Sequence, residues 1–536
     1  MKIKNKKFLT SPSDLNNFVS CKYLIQNEIK FLYKEIKRNE ESIDQKLWKE
    51  FGIKHEKKHF DLLKKYYKKN ISIKQDLTEE ERNKKTLEAI NKGYDLIYHA
   101  YLIEGDFRGE ADFLIKVDTA SDLGNFSYEV YDTKVSRKPR PRHIYQITAY
   151  SSMLSKIQGI LPDKMYLIDG ADITHQYKPK EFIDFYNFTK KNFDKYLKNI
   201  TKEKIYPEKC SHCSVCDYTD ECEKIWTEDN YINQVAKINR SQVEKLKKVG
   251  INTVEKLASA NPEKIKVKIN KQALKDRISQ AQLQEEKRET GKSKYIILDP
   301  DKGKGFYKLP KPDEGDLFFD IEGYPQEDGR GFEYLHGLYF KGKKGMEFKY
   351  FWAKDFKKKY EQENFIELIN FFKDHFKKYP KAHIYHYNSY EKRSLRQLAS
   401  LFSSDFPEGS NFVDSLLRGE KFVDLFLIVN QCVRTTEKDM SLKTIEDVLY
   451  GFKRAADVKK AEDSVKLYDF WLSSKDKKTK DDIIEYNKED CVSTYHLREF
   501  LVKNKPESID WFSITEETEK RSVEKKDWEK IEVELK

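Results

Sequence analysis

The rhythm of apolar and polar positions changes along the chain and divides it into four stretches. Residues 1–225 mix helical periodicity with strand alternation, 226–294 are helical throughout, 295–505 return to strands and helices in alternation, and 506–536 form a charge-dense tail with little to bury. In the first stretch Ser11-Pro-Ser-Asp14-Leu15 predicts a helix start capped by Ser or Asp, with Leu15 and Phe18 on one face and Cys21 one turn on. A second helix carries Gly52 to His59. Gly109–Val117 reads as a strand with Asp112 at its start, Tyr128–Lys134 as the next strand, and Tyr145–Leu154 as a helix. In the second stretch Val235–Leu257 predicts helix, Gly250 turn and helix, closed by a charged linker over Gln284–Ser293. In the third, Asp316–Gly323 is an apolar strand and Tyr486–Leu497 a helix. The expected class is an α/β multidomain protein.

Composition narrows the setting. Charged residues are 36 % of the 536, mean hydropathy is -0.83, and no run nears the ~18 apolar residues a membrane span needs. Met1-Lys-Ile-Lys-Asn-Lys-Lys is basic, but no apolar run of signal length follows. The expectation is a cytoplasmic protein with no membrane association. A net charge of +11 suits a polyanionic partner. No G-x4-G-K-[ST] loop occurs, so no nucleotide-binding motor is expected in this chain.

The chemistry-bearing residues come in two sets. Adjacent strands can bring Asp112 and Asp132 to one divalent cation, and Lys134, two residues on, shares the face of Asp132. Two carboxylates and a lysine are the minimal kit for phosphodiester hydrolysis: the acids hold Mg²⁺ or Mn²⁺, and the lysine neutralises developing charge. Glu129 is an alternative second ligand, out of phase with Lys134. Gln146 and Tyr150 share a helix face, and Arg137, Lys138, Arg140 and Arg142 just ahead of it are expected phosphate contacts. His55-Glu56-Lys-Lys-His59 also satisfies the zinc-protease signature, against the nuclease-type strands that follow. Of seven cysteines, four fall in Cys210-Ser-His-Cys213-Ser-Val-Cys216-Asp-Tyr-Thr-Asp-Glu-Cys222, a spacing for a metal or cluster and too dense for disulfide staples.

The succession G-x2-H-E, G-E-A-D, D-T-K, Q-x3-Y and C-x2-C-x5-C, with an early lone cysteine, resembles the RecB-like PD-(D/E)XK nucleases that carry an iron–sulfur cluster, including CRISPR-associated and AddB-type members. Over residues 1–225 the resemblance implies a restriction-endonuclease-like α/β core. It implies a catalytic set of His55, Asp112, Asp132 and Lys134, supported by Gln146 and Tyr150. It further implies a [4Fe-4S] cluster on Cys21, Cys213, Cys216 and Cys222 that clasps the domain's two ends, leaving Cys210 over. The Gly250-Ile-Asn-Thr253 hinge resembles a helix-hairpin-helix element, which offers backbone N–H groups to phosphate; a plain corner of two helices is the alternative.

The second set is Asp320-Ile-Glu322 on the apolar strand and Tyr486 with Asp490 one helical turn apart. D-x-E with Y-x3-D resembles the DEDD exonucleases of the ribonuclease H-like fold, in the YprB-like branch often found behind a RecB-like nuclease. The resemblance implies two metal ions held by four acids, with Tyr486 orienting water. Glu391, after Ile384-Tyr-His-Tyr-Asn388, is the candidate fourth acid where Asp is usual; Asp424 is read as a helix cap or supporting acid. The resulting expectation is a DNA nuclease acting on single strands or ends, with RNA open at the second site and a helicase as an associated partner. The alternatives are a non-catalytic adaptor of a helicase–nuclease complex and a four-cysteine zinc protein on Cys210, Cys213, Cys216 and Cys222.

Overall fold

The N-terminal residues form a short hairpin, β1 (Lys2–Lys4) with β2 (Lys7–Leu9). Ser11 caps α1 (Pro12–Ser20) through a reciprocal pair with Asp14. Cys21 does not ride on this helix. Its extended backbone closes α1 and opens α2 (Lys22–Leu32), so the sulfur sits at a break between two helices. Then follow α3 (Ile43–Tyr66), β3 (Asn70–Ser72), α4 (Glu79–Asn91), β4 (Leu96–Glu104), β5 (Phe107–Val117), β6 (Ser127–Thr133), α5 (Pro141–Gln158), β7 (Met165–Ile168), β8 (Thr174–Tyr177), α6 (Ile183–Asn199) and α7 (Thr219–Glu228). The six longer-range strands make one sheet in the order β3-β4-β5-β6-β7-β8. Strand β5 starts two residues earlier than expected, so Asp112 lies within it rather than at its start. Leu114, Val130 and Leu167 from the sheet pack with Ile147, Met153 and Leu154 of α5 into the main core of this part.

The computed structural model describes residues 1–200, 205–325, 331–455 and 461–513. It divides into two units, Met1–Trp226 with Pro325–Arg330, and Thr227–Tyr324 with Gly331–Lys536. The second opens with α8 (Arg240–Lys247), α9 (Val254–Ala258) and α10 (Lys271–Thr290). The charged run expected to be a linker from Gln284 is instead the last turns of α10, ended by left-handed Gly291 (φ 69). Its Gln, Glu, Lys and Arg are good helix formers. Gln284 also holds the chain, accepting from Ala236 N–H and donating to the Gln234 carbonyl, both at 2.8 Å.

Strands β9 (Tyr295–Ile297), β10 (Leu317–Pro325), β11 (Gly331–Gly342) and β12 (Gly345–Trp352) lead into α11 (Lys358–Lys378) and β13 (Ile384–His386). After them come α12 (Tyr390–Leu401), α13 (Pro407–Arg418), β14 (Phe422–Asp424), α14 (Leu425–Cys432), β15 (Val433–Thr435), α15 (Leu442–Tyr450), α16 (Ala461–Ser474) and α17 (Lys477–Asn504). A five-stranded sheet runs β12-β11-β10-β13-β14, with β10, β13 and β14 parallel. Both faces of β10 are covered. Leu317, Phe319 and Ile321 enter one core with Phe365 and Leu395, while Phe318 enters another with Leu497 and Leu501 of α17. Period two therefore gives Asp320 and Glu322 the α17 side of the sheet. The expected tail does not begin at 506: Ile509 is buried and Phe512 N–H donates to the Leu309 carbonyl at 2.9 Å. Residues 514–536 lie outside the described residues.

Candidate functional site

Strands β5 and β6 pair antiparallel through Phe113↔Tyr131, so one step further Asp112 and Asp132 stand opposite each other. Thr133 donates its backbone N–H and its hydroxyl to Asp112 Oδ2, both at 2.7 Å. Lys134 Nζ is ion-paired with Asp132. Burial, and then the neighbouring Asp132, holds Asp112 well above the usual carboxylate range, and burial raises Asp132 despite Lys134. Burial by itself would lower Lys134, but Asp132 and Asp112 outweigh it and keep the ammonium charged. Carboxyls held up in this way are short of positive charge, which is the condition a divalent cation relieves. Gln146 Nε2 donates to the Tyr150 hydroxyl at 2.9 Å, and Asp132 adds to the burial that raises this phenol. Gly109 makes room for the ring: a β-carbon there would lie 2.8 Å from Tyr150 Cε1 and 3.0 Å from Pro12 Cδ. That contact gives the glycine of G-E-A-D its physical reason.

The neighbouring helix contributes a residue to which sequence reasoning gave no role in hydrolysis. Glu56 of α3 bears on Asp112, Asp132 and Lys134 and pairs with His99 Nε2 at 2.7 Å. His99 lies on β4 between the pairs Tyr98↔Phe113 and Ala100↔Ala111, hence opposite Asp112, with a left-handed backbone (φ 58). Its other ring nitrogen is 3.2 Å from Glu110. His55, expected in the catalytic set, falls in another group: its Nδ1 is 3.9 Å from Asp172 Oδ1 and its ring meets that of His59 edge-on at 4.7 Å. The literal zinc-protease signature is thus split, its glutamate facing the carboxylates and its histidines facing Asp172. Glu129 lies on the opposite face of β6 from Asp132 and accepts from Lys164 N–H at 3.1 Å. Arg137, Lys138, Arg140 and Arg142 are exposed in the loop and first turn leading into α5.

All five clustered or early cysteines line one hollow: Cys21, Cys210, Cys213, Cys216 and Cys222. Cys210 is not set apart, since its sulfur is 3.9 Å from that of Cys213 and it bears on Cys21 as well. Burial, then Cys216 and Cys21, pushes the Cys222 thiol up to about 12. Crowded thiols of this kind become good thiolate ligands once a cation is present. Protein contacts already bring the same segments together: Tyr218 donates to Glu28 at 3.0 Å, and Arg38 reaches Tyr218 at 2.9 Å and Glu28 at 2.7 Å. In the helical stretch, Gly250 takes a left-handed turn (φ 82) between α8 and α9.

In the second unit Asp320 and Glu322 of β10 meet Asp490 of α17, with one oxygen of each within 4.8 Å of the others. Burial, then Asp490 and Glu322, holds Asp320 well above the usual range, and burial with Asp490 pushes Glu322 up to about 8. Four groups without a sequence signal surround them. Arg454 donates to Asp490 at 2.7 Å while also pairing with Glu446 at 2.8 Å. Asn487 donates to Asp320 at 2.6 Å and Ser464 to Glu322 at 2.9 Å. Lys443 Nζ donates to the Tyr486 hydroxyl at 2.9 Å. Glu391 lies near enough to bear on Asp320 but outside the trio, because buried His386 takes its carboxylate through Nδ1 at 3.2 Å. Asp424 is the cap of α14, accepting from Phe426 N–H and also from Asn388 N–H, both at 3.0 Å.

Residues 317–502 match the RNase_H superfamily. The matched span runs from the first residue of β10 into the end of α17 and so contains the whole acidic trio. This RNase H-like domain has the fold of a metal-dependent nuclease type, and its clustered acids form a group able to hold a metal ion. No curated protein matches the chain. Among the described residues, no helix is long and apolar enough to cross a membrane.

Proposed function

We propose that the protein is a nuclease with two metal-dependent sites that hydrolyses phosphodiester bonds of DNA, with single strands or ends as substrate and RNA as a further substrate class for the RNase H-like domain. The observation that carries this reading is the meeting of Asp320, Glu322 and Asp490 inside the matched span. A divalent cation held by these acids, Mg²⁺ or Mn²⁺, would polarise the phosphate and acidify a water. Tyr486, its hydroxyl fixed by Lys443, orients that water. Asn487 and Ser464 hold the carboxylates in place. In the first unit Asp112 and Asp132 hold the same kind of ion, with Glu56 beside them. Lys134 stabilises charge developing on the phosphate, while Gln146 and Tyr150 brace the face behind the acids. Arg137, Lys138, Arg140 and Arg142 grip the backbone. The cysteine hollow takes a [4Fe-4S] cluster on Cys21, Cys213, Cys216 and Cys222, with Cys210 as a neighbouring fifth thiol.

End-labelled single- and double-stranded DNA and RNA, with Mn²⁺ or Mg²⁺, test the reading against Asp132→Ala, Asp320→Ala and the double variant. Each single variant loses one of two activities, and cleavage unchanged in the double variant would sink it. Anaerobic purification tests the clasp: a brown protein absorbing near ~400 nm supports it, and a colourless one with stoichiometric zinc replaces it. Arg454 favours a second reading for the RNase H-like domain, because its guanidinium already neutralises Asp490. On that reading the domain binds nucleic acid without cutting, as an adaptor beside a helicase, and Asp320→Ala leaves all cleavage unchanged.

A further inference from the structure

The histidines of the split signature have no part in the chemistry above, yet they converge on one carboxylate. His55 and His59 are one helical turn apart on α3, each with its side chain about nine-tenths buried. His59 Nε2 is 2.9 Å from Asp172 Oδ1, and His55 Nδ1 is 3.9 Å from the same oxygen. One donor atom from each of the three lies within 4.8 Å of the other two. Asp172 is delivered by a hydrogen-bonded turn between β7 and β8. Asp169 accepts from Ala171 and Ile173 N–H at 2.9 and 3.0 Å, and Asp172 itself has a left-handed backbone (φ 61). The carboxylate remains half exposed, which leaves an approach from solvent.

We propose that His55, His59 and Asp172 bind a zinc-type divalent cation at a site separate from both acidic clusters. Two imidazoles and one carboxylate are a frequent zinc donor set, with water in the fourth position. Imidazole ligands also select against Mg²⁺, which prefers oxygen, so the ion differs in kind from the one the acids would take. Lys58, whose ammonium sits 2.5 Å from Asp172 Oδ2, competes for the same carboxylate. The ion would fasten α3 to the β7–β8 turn. Because Glu56 follows His55 directly, the same fastening would set the angle at which Glu56 meets Asp112 and Asp132.

The test is cobalt(II) titration of the full chain in excess Mg²⁺, with metal counted by mass spectrometry. Wild type is expected to show visible bands of nitrogen- and oxygen-ligated cobalt beside any sulfur charge-transfer absorption from cobalt in the cysteine hollow, which the variants below leave unchanged. Asp172→Asn and His59→Gln are expected to lose those bands and one metal equivalent, with far-UV circular dichroism unchanged. Equal stoichiometry in wild type and both variants, or bands of thiolate type alone, would overturn the site. Lys58→Ala tests it without touching a ligand: cobalt affinity is expected to rise about two- to fivefold, and unchanged or weaker binding counts against the proposal. Metal content and cleavage are read separately, so failure here leaves the nuclease reading standing.

Discussion

In the first unit, Asp112 and Asp132 sit on neighbouring strands and carry their counter-charge, Lys134, two residues along the same chain segment. In the second, Asp320 and Asp490 come from a strand and a helix 170 residues apart (490 − 320), and the counter-charge, Arg454, arrives from a third segment. Both clusters crowd carboxyls until desolvation and repulsion raise them. They differ in what holds the crowd. A ladder pair is fixed by sheet register, whereas a strand–helix pair is fixed only by the packing of α17 and the groups around it.

The largest effects should separate the acids that meet from the one that turns away. Glu322→Gln is expected to lower RNase H-like cleavage by at least about 100-fold, whereas Glu391→Gln costs less than about tenfold, measured at saturating Mn²⁺. Equal losses would return Glu391 to the metal group. The counter-charges should differ next. Arg454→Met leaves buried Glu446 and partly buried Asp490 without their cation and is expected to cost about 2–4 kcal/mol in denaturant unfolding of the second unit. Lys134→Met removes a cation from carboxyls already held up, so it costs activity more than stability.

A smaller effect probes the ladder site through its glycine. Gly109→Ala would press a β-carbon against Tyr150 and is expected to cost about 1–3 kcal/mol, seen as a lower Tm with reduced Mn²⁺-dependent cleavage. The smallest is electrostatic. Burial alone would raise Glu79, but Lys2 and Arg108 outweigh it and pull the carboxyl down to about 2. A depressed acid adds stability above its unfolded pKa of ~4.3, and the gain is lost as pH falls towards about 2. Glu79→Gln should therefore cost roughly 1–2 kcal/mol at neutral pH, and the difference from wild type should vanish near pH 2.

Strand phase made much of this readable. Period two sets Asp320 beside Glu322 and excludes Glu129, and two adjacent strands bring Asp112 to Asp132. Helix phase was harder: residues 55, 56 and 59 span barely more than one turn, and which of them faces the sheet depends on how α3 lies across it. Glu391 was read from its position after β13, but the buried nitrogen of His386, five residues back, decides where its carboxylate points. Arg454, Asn487 and Ser464 owe their roles to distant partners, so no local pattern announces them. The polar run at Gln284 reads as a linker for a plain reason: it looks solvated until its partners, Ala236 N–H and the Gln234 carbonyl, are known.

The network of Glu28, Arg38 and Tyr218 also has a clock in it. Glu28 and Tyr218 are both buried, and they are 190 residues apart (218 − 28). At the ~5–20 residues per second of ribosomal synthesis, Tyr218 is made roughly 10 to 40 seconds after Glu28. Until then α2, which opens at Cys21 and carries Glu28, lacks the partner that buries Glu28. A nascent chain paused before residue 218 should hold α2 loosely, open to proteases that the finished unit excludes.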